Sequence, residues 1–489
     1  MGLRIYNSLT RQKEEFVPLK EGEVKMYVCG PTVYDYVHVG NFRGPIFFNL
    51  VRNWLEKLGY KVEYALNFTD VDDKIINRAL QEGVPASEIS ERFIEEYKKD
   101  FAALKLRPHT YNPKVTETMG PILELIDTLV QQGKAYVVDG EVLYSVRNFE
   151  GYGKLSHKNI DDLQAGARVE VDKKKRDPMD FALWKPAKPG EPKWSSPWGE
   201  GRPGWHIECS AMIRSLFGDS IDIHGGGSDL IFPHHENEIA QSEGATGKPF
   251  VRYWMHNNML TLGDKKMSKS LGNIMKAREF LTKYNGEILK YMMLSTHYRS
   301  LLDFSDEAVH RAIAGLARIY SALNVAEKTI ERAGDSVTPA GAPVKSFAEV
   351  LEKSSRDVVE ALNDDFNTPE MFAAIFNVTR AFNSVVRLGA KITPEILKTA
   401  ITFRDWIREQ GQLLSLFLEP AGEYLRLLDD MLLKQKGLER AQIDALVEER
   451  SKARAAKDYK RSDELRDQLA AMGIALQDTP QGTTWEVAK

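Results

Sequence analysis

The sequence predicts an α/β fold: a parallel-sheet domain split by an inserted connective segment, then an α-helical bundle and a small mixed α/β C-terminal domain. Three observations carry that reading. An apolar run ending at Cys29, a helix with a single apolar stripe and a second alternating strand succeed one another with short links. Strand and helix of the same character resume near Trp205, after strand-like runs broken by Gly and Pro. Beyond Phe304, apolar residues recur at helical spacing.

Taken in order, Val24 to Cys29 is the first strand. The helix after it carries Ile46, Leu50, Val51, Trp54, Leu55 and Leu58 on one stripe and stops at Gly59. Val62, Tyr64, Leu66 and Phe68 then alternate along a second strand. Parallel strands joined by a right-handed crossover place ligands at their carboxyl ends, where Cys29, Thr69 and Asp70 fall. The link His38-Val39-Gly40-Asn41 opens the helix, and exposed backbone N–H groups at such a start suit a phosphate. From Val71 to Lys134 the pattern is helical and charged. Asp72 and Asp73 are expected there as ordinary acidic helix-start residues.

Residues 135–204 read as inserted strand and loop material, and Trp184, Trp194 and Trp198 are expected to pack in it. A helix carrying Cys209 ends at Gly218. Next come a strand through Ile221 and Ile223, a loop at Gly225-Gly226-Gly227, and a helix entered at Pro233. The run Asp264 to Ser270, lysines and serines between Gly263 and Gly272, reads as a cationic flap suited to a polyphosphate. Near the end, Arg450, Lys452, Arg454 and Lys457 make a basic helix. A hairpin is expected to turn at Gln481-Gly482, with Trp485 on its second strand. Basic residues beside a lone Trp suit RNA, though a charged helix face is more often simply solvated.

Global properties narrow the class. A hydrophobic share of 43% and a charged share of 28% exclude disorder as the main theme, and no apolar run is long enough to span a bilayer. Met1 to Tyr6 show no apolar leader, so a cytoplasmic protein is expected. A net charge of −4 leaves any nucleic-acid contact to local patches. Two cysteines in 489 residues point to a reducing compartment.

Those two cysteines are also metal-ligand candidates. His234 and Glu238 stand one helical turn apart, so an imidazole and a carboxylate share a face. Joined by Cys29 and Cys209, they make a set that suits zinc. Either cysteine alone would read as a small buried hydrophobe. A metalloprotease helix is excluded, because His235-Glu236 is followed by Ile239 where a second histidine is needed.

His38-Val39-Gly40-Asn41, with Lys266-Met267-Ser268-Lys269-Ser270 far downstream, resembles the paired HIGH and KMSKS signatures of class I aminoacyl-tRNA synthetases. Cys29-Gly30-Pro31-Thr32-Val33-Tyr34-Asp35, Asn67 to Lys74, and Gly204-Trp205-His206-Ile207-Glu208-Cys209 narrow the resemblance to the cysteinyl-tRNA synthetase family, along essentially the whole chain. Asn41 departs from the signature's final histidine and cannot carry charge.

The resemblance implies a Rossmann-type catalytic domain in two halves, 1–134 and 205–262, around the connective segment 135–204. A KMSKS and stem-contact region, 263–303, follows, then a tRNA-binding helical bundle, 304–437, and an anticodon-binding domain, 438–489. It implies zinc, one per chain, on Cys29, Cys209, His234 and Glu238, and ATP with Mg2+ on His38, Gly40, Asn41, Lys266 and Lys269. Lys269, Lys266 and His38 are its expected catalytic groups. Thr69, Trp205, His224 and Asp229 are expected around the substrate cysteine. The expected partners are ATP, L-cysteine and cysteine tRNA, with no membrane, and the chain is expected to be a monomer. A relative joining cysteine to an amino sugar would share the catalytic half without needing a tRNA-reading extension, and a zinc-stabilised RNA-binding protein would not need the histidine and lysine motifs.

Overall fold

The computed structural model describes residues 2–159, 174–262, 265–266, 275–339, 341–479 and 482–489, and divides into two units. The first unit comprises Met1–Leu281, Thr296–Asp303 and Leu362–Asn367. It opens with an antiparallel hairpin, β1 (Arg4–Asn7) and β2 (Gln12–Glu15). The expected crossover follows: β3 (Glu23–Val28), α1 (Arg43–Lys57) and β4 (Lys61–Leu66), with β3 and β4 parallel. Val24, Met26 and Val28 are buried on one face of β3 and Tyr27 on the other, as in a strand covered on both sides.

The charged stretch after β4 resolves into α2 (Asp73–Glu82), α3 (Ala86–Ala103) and α4 (Met119–Gln131). Asp72 caps α2 through the Lys74 N–H, and Asp73 pairs with Arg202, so both acids have the expected structural roles. The connective stretch is an antiparallel sheet of β5 (Ala135–Val138), β6 (Glu141–Tyr144), β7 (Phe181–Pro186) and β8 (Gly201–Pro203). Trp184 is fully buried, with Trp194 and Trp198 packed on the same core.

The main sheet resumes with α5 (Trp205–Phe217), β9 (Ile221–Gly227), α6 (Glu236–Thr246) and β10 (Val251–Asn257). The strand order is β10-β9-β3-β4, all parallel, so the four carboxyl ends gather at one edge. There β11 (Leu260–Leu262) pairs with β12 (Lys265–Lys266) and with β13 (Leu302–Asp303).

Three details differ from expectation. Gly225, Gly226 and Gly227 do not form a turn but complete β9, in register with β10. Their lack of a side chain serves packing: a Cβ on Gly225 would lie 2.1 Å from the buried Phe48 ring. Pro233 does not begin the regular helix. Phe232 is extended (φ −139°, ψ 129°), and α6 starts at Glu236. In the C-terminal hairpin, β14 (Ile474–Thr479) and β15 (Gly482–Val487) pair Thr479 with Gly482. Gly482 therefore belongs to the strand, and Gln481 lies outside the described residues.

The second unit, Thr282–Ser295, Phe304–Ala361 and Thr368–Lys489, is chiefly helical. Its long Asp306–Ala333 helix packs against Pro394–Leu414 and Ala421–Gln435. Ser305 and Thr393 cap two of these helices through their hydroxyls, and Pro394 takes a first-turn position. The Arg440–Ala455 and Tyr459–Ala471 helices pack against each other and are followed by β14 and β15.

Candidate active site

A cavity of about 510 Å3 opens at the carboxyl edge of the sheet, and most of the nominated residues meet there. Cys29 follows directly on β3, its N–H donating to the Gly225 carbonyl (3.0 Å). Its neighbour Gly30 lies so close to the end of β4 that an added Cβ would stand 1.7 Å from the Asn67 carbonyl oxygen. α5 delivers Cys209, and the entry into α6 delivers His234 and Glu238.

These four side chains converge. The two sulfurs are 3.7 Å apart, and His234 Nε2 lies 3.0 Å from Glu238 Oε1. Glu238 Oε1 is 3.8 Å from Cys29 Sγ, and one ligand atom from each of the four lies within 4.8 Å of the others. His224 and His235, with Cys29 and Glu238, form a second grouping whose ligand atoms also lie within 4.8 Å of one another. The first contributes two sulfurs and an imidazole, donors that suit a borderline-soft divalent ion. The cluster can therefore hold a metal.

Electrostatics fit such a centre. Burial resists charge on Glu238, but His224 and His234 overcome it and hold the carboxyl down at about 2. Burial likewise opposes a charge on His234, and the Glu238 carboxylate outweighs it. Burial drives the Cys29 thiol up, while the hydrogen bond from Cys29 lowers Cys209 to about 6. One proton is thus held within a pair of sulfurs that a cation would deprotonate.

Five of the chain's ten histidines surround the cluster, and only two of them were nominated from the sequence. His235 Nε2 lies 3.3 Å from Cys29 Sγ, and its Nδ1 lies 2.8 Å from His256 Nε2. His256 Nδ1 in turn contacts Ser8 Oγ at 2.8 Å. His206 Nδ1 is 3.0 Å from His234 Nδ1. The crowding of His206, His224, His234, His235 and His256 along one short stretch of chain was the available signal.

Of the residues expected around an amino acid, Thr69, Trp205 and Asp229 line the cavity. Trp205 is 41% exposed and stacks on His234 at 4.3 Å. His224 does not line it. Its ring is fully buried, with Nε2 2.8 Å from Glu238 Oε2, so it meets the cluster through Glu238.

His38, Gly40 and Asn41 also line the cavity. His38 precedes a 3-10 turn, Val39–Phe42, that runs into α1. Asn41 Oδ1 accepts the His38 N–H (3.0 Å), closing the helix start on itself. An added Cβ on Gly40 would meet the His38 ring at 3.0 Å, which explains a glycine between them. Lys266 lies in β12, where its backbone pairs with Thr261. Lys269 lies outside the described residues.

The model of the class I (C) tRNA synthetase catalytic domain matches residues 15–314. Residues 357–419 match the DALR domain, and 439–485 match the cysteinyl-tRNA ligase anticodon-binding domain. Cysteine–tRNA ligase of Bdellovibrio bacteriovorus is 63% identical over 487 residues, with 100% of each chain covered. The chain belongs to the cysteine–tRNA ligase family. The Geobacter sulfurreducens member is 50% identical, also with 100% of each chain covered. In fold, the chain is similar to Mycobacterium tuberculosis methionyl-tRNA synthetase in complex with methionyl-adenylate. That likeness has a TM-score of 0.62 at 16% identity and covers 86% of this chain and 95% of that one.

Proposed function

We propose that this chain activates L-cysteine with ATP and transfers it to the 3' end of cysteine tRNA. Family membership supports the reaction. The observation that carries it here is that one cavity joins the Cys29, Cys209 and His234 cluster to the His38–Asn41 helix start. In the first step the cysteine carboxylate attacks the α-phosphorus of ATP and pyrophosphate leaves. In the second a terminal ribose hydroxyl of the tRNA takes the cysteinyl group and AMP leaves. Neither step needs a protein nucleophile, so positioning and charge stabilisation carry the catalysis.

His38, Gly40 and Asn41 receive ATP, which arrives with Mg2+, and the N–H groups at the start of α1 face its phosphates. Lys266 and Lys269 balance the negative charge that develops on them. Asp229 suits the substrate ammonium, while Thr69 and Trp205 frame the amino acid. Cys29, Cys209, His234 and Glu238 hold one zinc, with His224 fixing the orientation of Glu238. Zinc bound there supplies a soft Lewis acid that favours a thiolate over a hydroxyl, and so cysteine over serine. The chain acts in the cytoplasm as a monomer.

The test is transfer of labelled cysteine to unfractionated tRNA with ATP, magnesium and zinc. Label precipitating with the tRNA is the expected result. Cysteine-dependent pyrophosphate release without charging would replace this reading with a small-molecule ligase, and no activation at all would overturn it.

A further inference from the structure

Arg43 is the first residue of α1, directly after the Val39–Phe42 turn, and is 1% exposed. Its guanidinium makes four hydrogen bonds, all to backbone carbonyls. Nη1 donates to Asn258 O (2.8 Å) and Met259 O (2.9 Å), and Nη2 donates to Ser300 O (2.6 Å) and His297 O (3.3 Å). Among the described residues no carboxylate pairs with it. A buried cation without an anion is costly, so a fold that keeps one has a use for its geometry.

The joint it closes is specific. Residues 258–259 lead into β11 and the segment 263–274, while 297–300 lead into β13. Further bonds tie the same pair of segments. The Asn258 N–H donates to Tyr298 O (2.8 Å), Asn258 Nδ2 to Arg299 O (3.0 Å), and the Leu302 N–H to Met259 O (3.3 Å). β13 then runs parallel to β11, whose other partner, β12, contains Lys266. A single planar fork therefore links the nucleotide end of α1 with the segments that lead into β11 and β13, and β11 pairs with the strand that contains Lys266. Only arginine presents donors in that fork; lysine's three donors radiate from one point.

We propose that Arg43 is a positioning residue, which fixes the base of the lysine segment relative to His38 and Asn41 so that charge reaches the phosphates in register. The proposal rests on the ligase reading above and adds to it a group that touches no substrate. Arg43→Lys is expected to lower kcat for cysteine-dependent ATP–pyrophosphate exchange about tenfold or more, since small misplacements of reacting groups have large rate effects. KM for cysteine and zinc content should stay within about twofold. Amide exchange should quicken in peptides covering 258–262 and 297–303 but not in 221–238.

Asn258→Ala loosens the same joint from the other side and should show the same pattern in weaker form, which keeps the test open if Arg43→Lys fails to fold. The proposal is overturned if either variant, once folded, keeps the parent kcat and exchange pattern, or if cysteine KM and zinc content change along with kcat. A parent chain with no cysteine-dependent exchange would sink the ligase reading instead. The amide-exchange comparison alone would then decide whether Arg43 fixes this joint.

Discussion

Gly30 shows how little room the cavity wall leaves at the scale of one residue. The Asn67 carbonyl that an added Cβ would meet at 1.7 Å is backbone, so β3 and β4 would have to part, carrying Cys29 away from Cys209. Gly30→Ala should therefore destabilise the chain by about 1–3 kcal/mol, as overpacking does, and weaken binding of the proposed zinc as well. Thermal unfolding alongside metal analysis checks this, and an alanine variant with parental stability and full zinc would refute it. The four metal candidates were legible because two of them share a helical face and the chain has only two cysteines. The hydrogen-bonded chain from Cys29 through His235 and His256 to Ser8 was not. It joins residues from four separate stretches of the sequence, and no spacing rule connects them. Gly225 was misread for a related reason: a glycine needed for contact with Phe48 looks, in sequence, like a glycine needed for a turn.

At the scale of elements, the Gly286–Leu294 helix buries an acid in its first turn. Glu287 is 9% exposed, and its Oε1 accepts a hydrogen bond from the Tyr320 hydroxyl at 3.0 Å. Burial raises its pKa to about 7 from 4.5, and nearby Glu419 adds to the rise, against Lys290 and the Tyr320 bond. The folded chain therefore holds this proton at pH values where the unfolded chain has lost it. Stability should fall as pH rises from about 4.5 and level off above about 7, with a penalty of about 3 kcal/mol. Glu287→Gln removes the titration, so its advantage over the parent should be near zero at acid pH and largest near pH 8. Melting temperatures across that range decide, and an advantage independent of pH would count against the account. Strands β3 and β4 were readable because local patterning and tertiary packing agree there. The α1 segment was readable as a helix but not in its packing: Arg43, Asn49, Arg52 and Asn53 are buried beside the apolar stripe and Leu58 is exposed. The entry to α6 was only partly readable: an extended Phe232 is what the residue before Pro233 adopts by local sterics, but the irregular turn between it and the α6 start at Glu236 has no such local signature.

The whole molecule carries a net charge of −4, with 66 basic against 70 acidic side chains, yet its proposed partner is a polyanion. The basic C-terminal helix read from the sequence does not settle the matter. Arg450 and Arg454 both pair with Asp478, Lys452 pairs with Glu448, and Trp485 donates to Asp444 beneath the Arg440 guanidinium. Those charges are largely spent within the protein, so RNA has to be held by local contacts working against an overall repulsion. Such binding weakens steeply with salt, because each phosphate contact releases a counterion. Cysteine activation takes place within one cavity and shares little of that dependence. Raising KCl from about 50 to about 200 mM should lower kcat/KM for tRNA charging on the order of tenfold or more, while cysteine-dependent pyrophosphate exchange changes far less. Measuring both on the same preparation makes the comparison internal. Parallel decline of the two would place the salt-sensitive step in the catalytic cavity and remove the case for a separate electrostatic hold on the RNA.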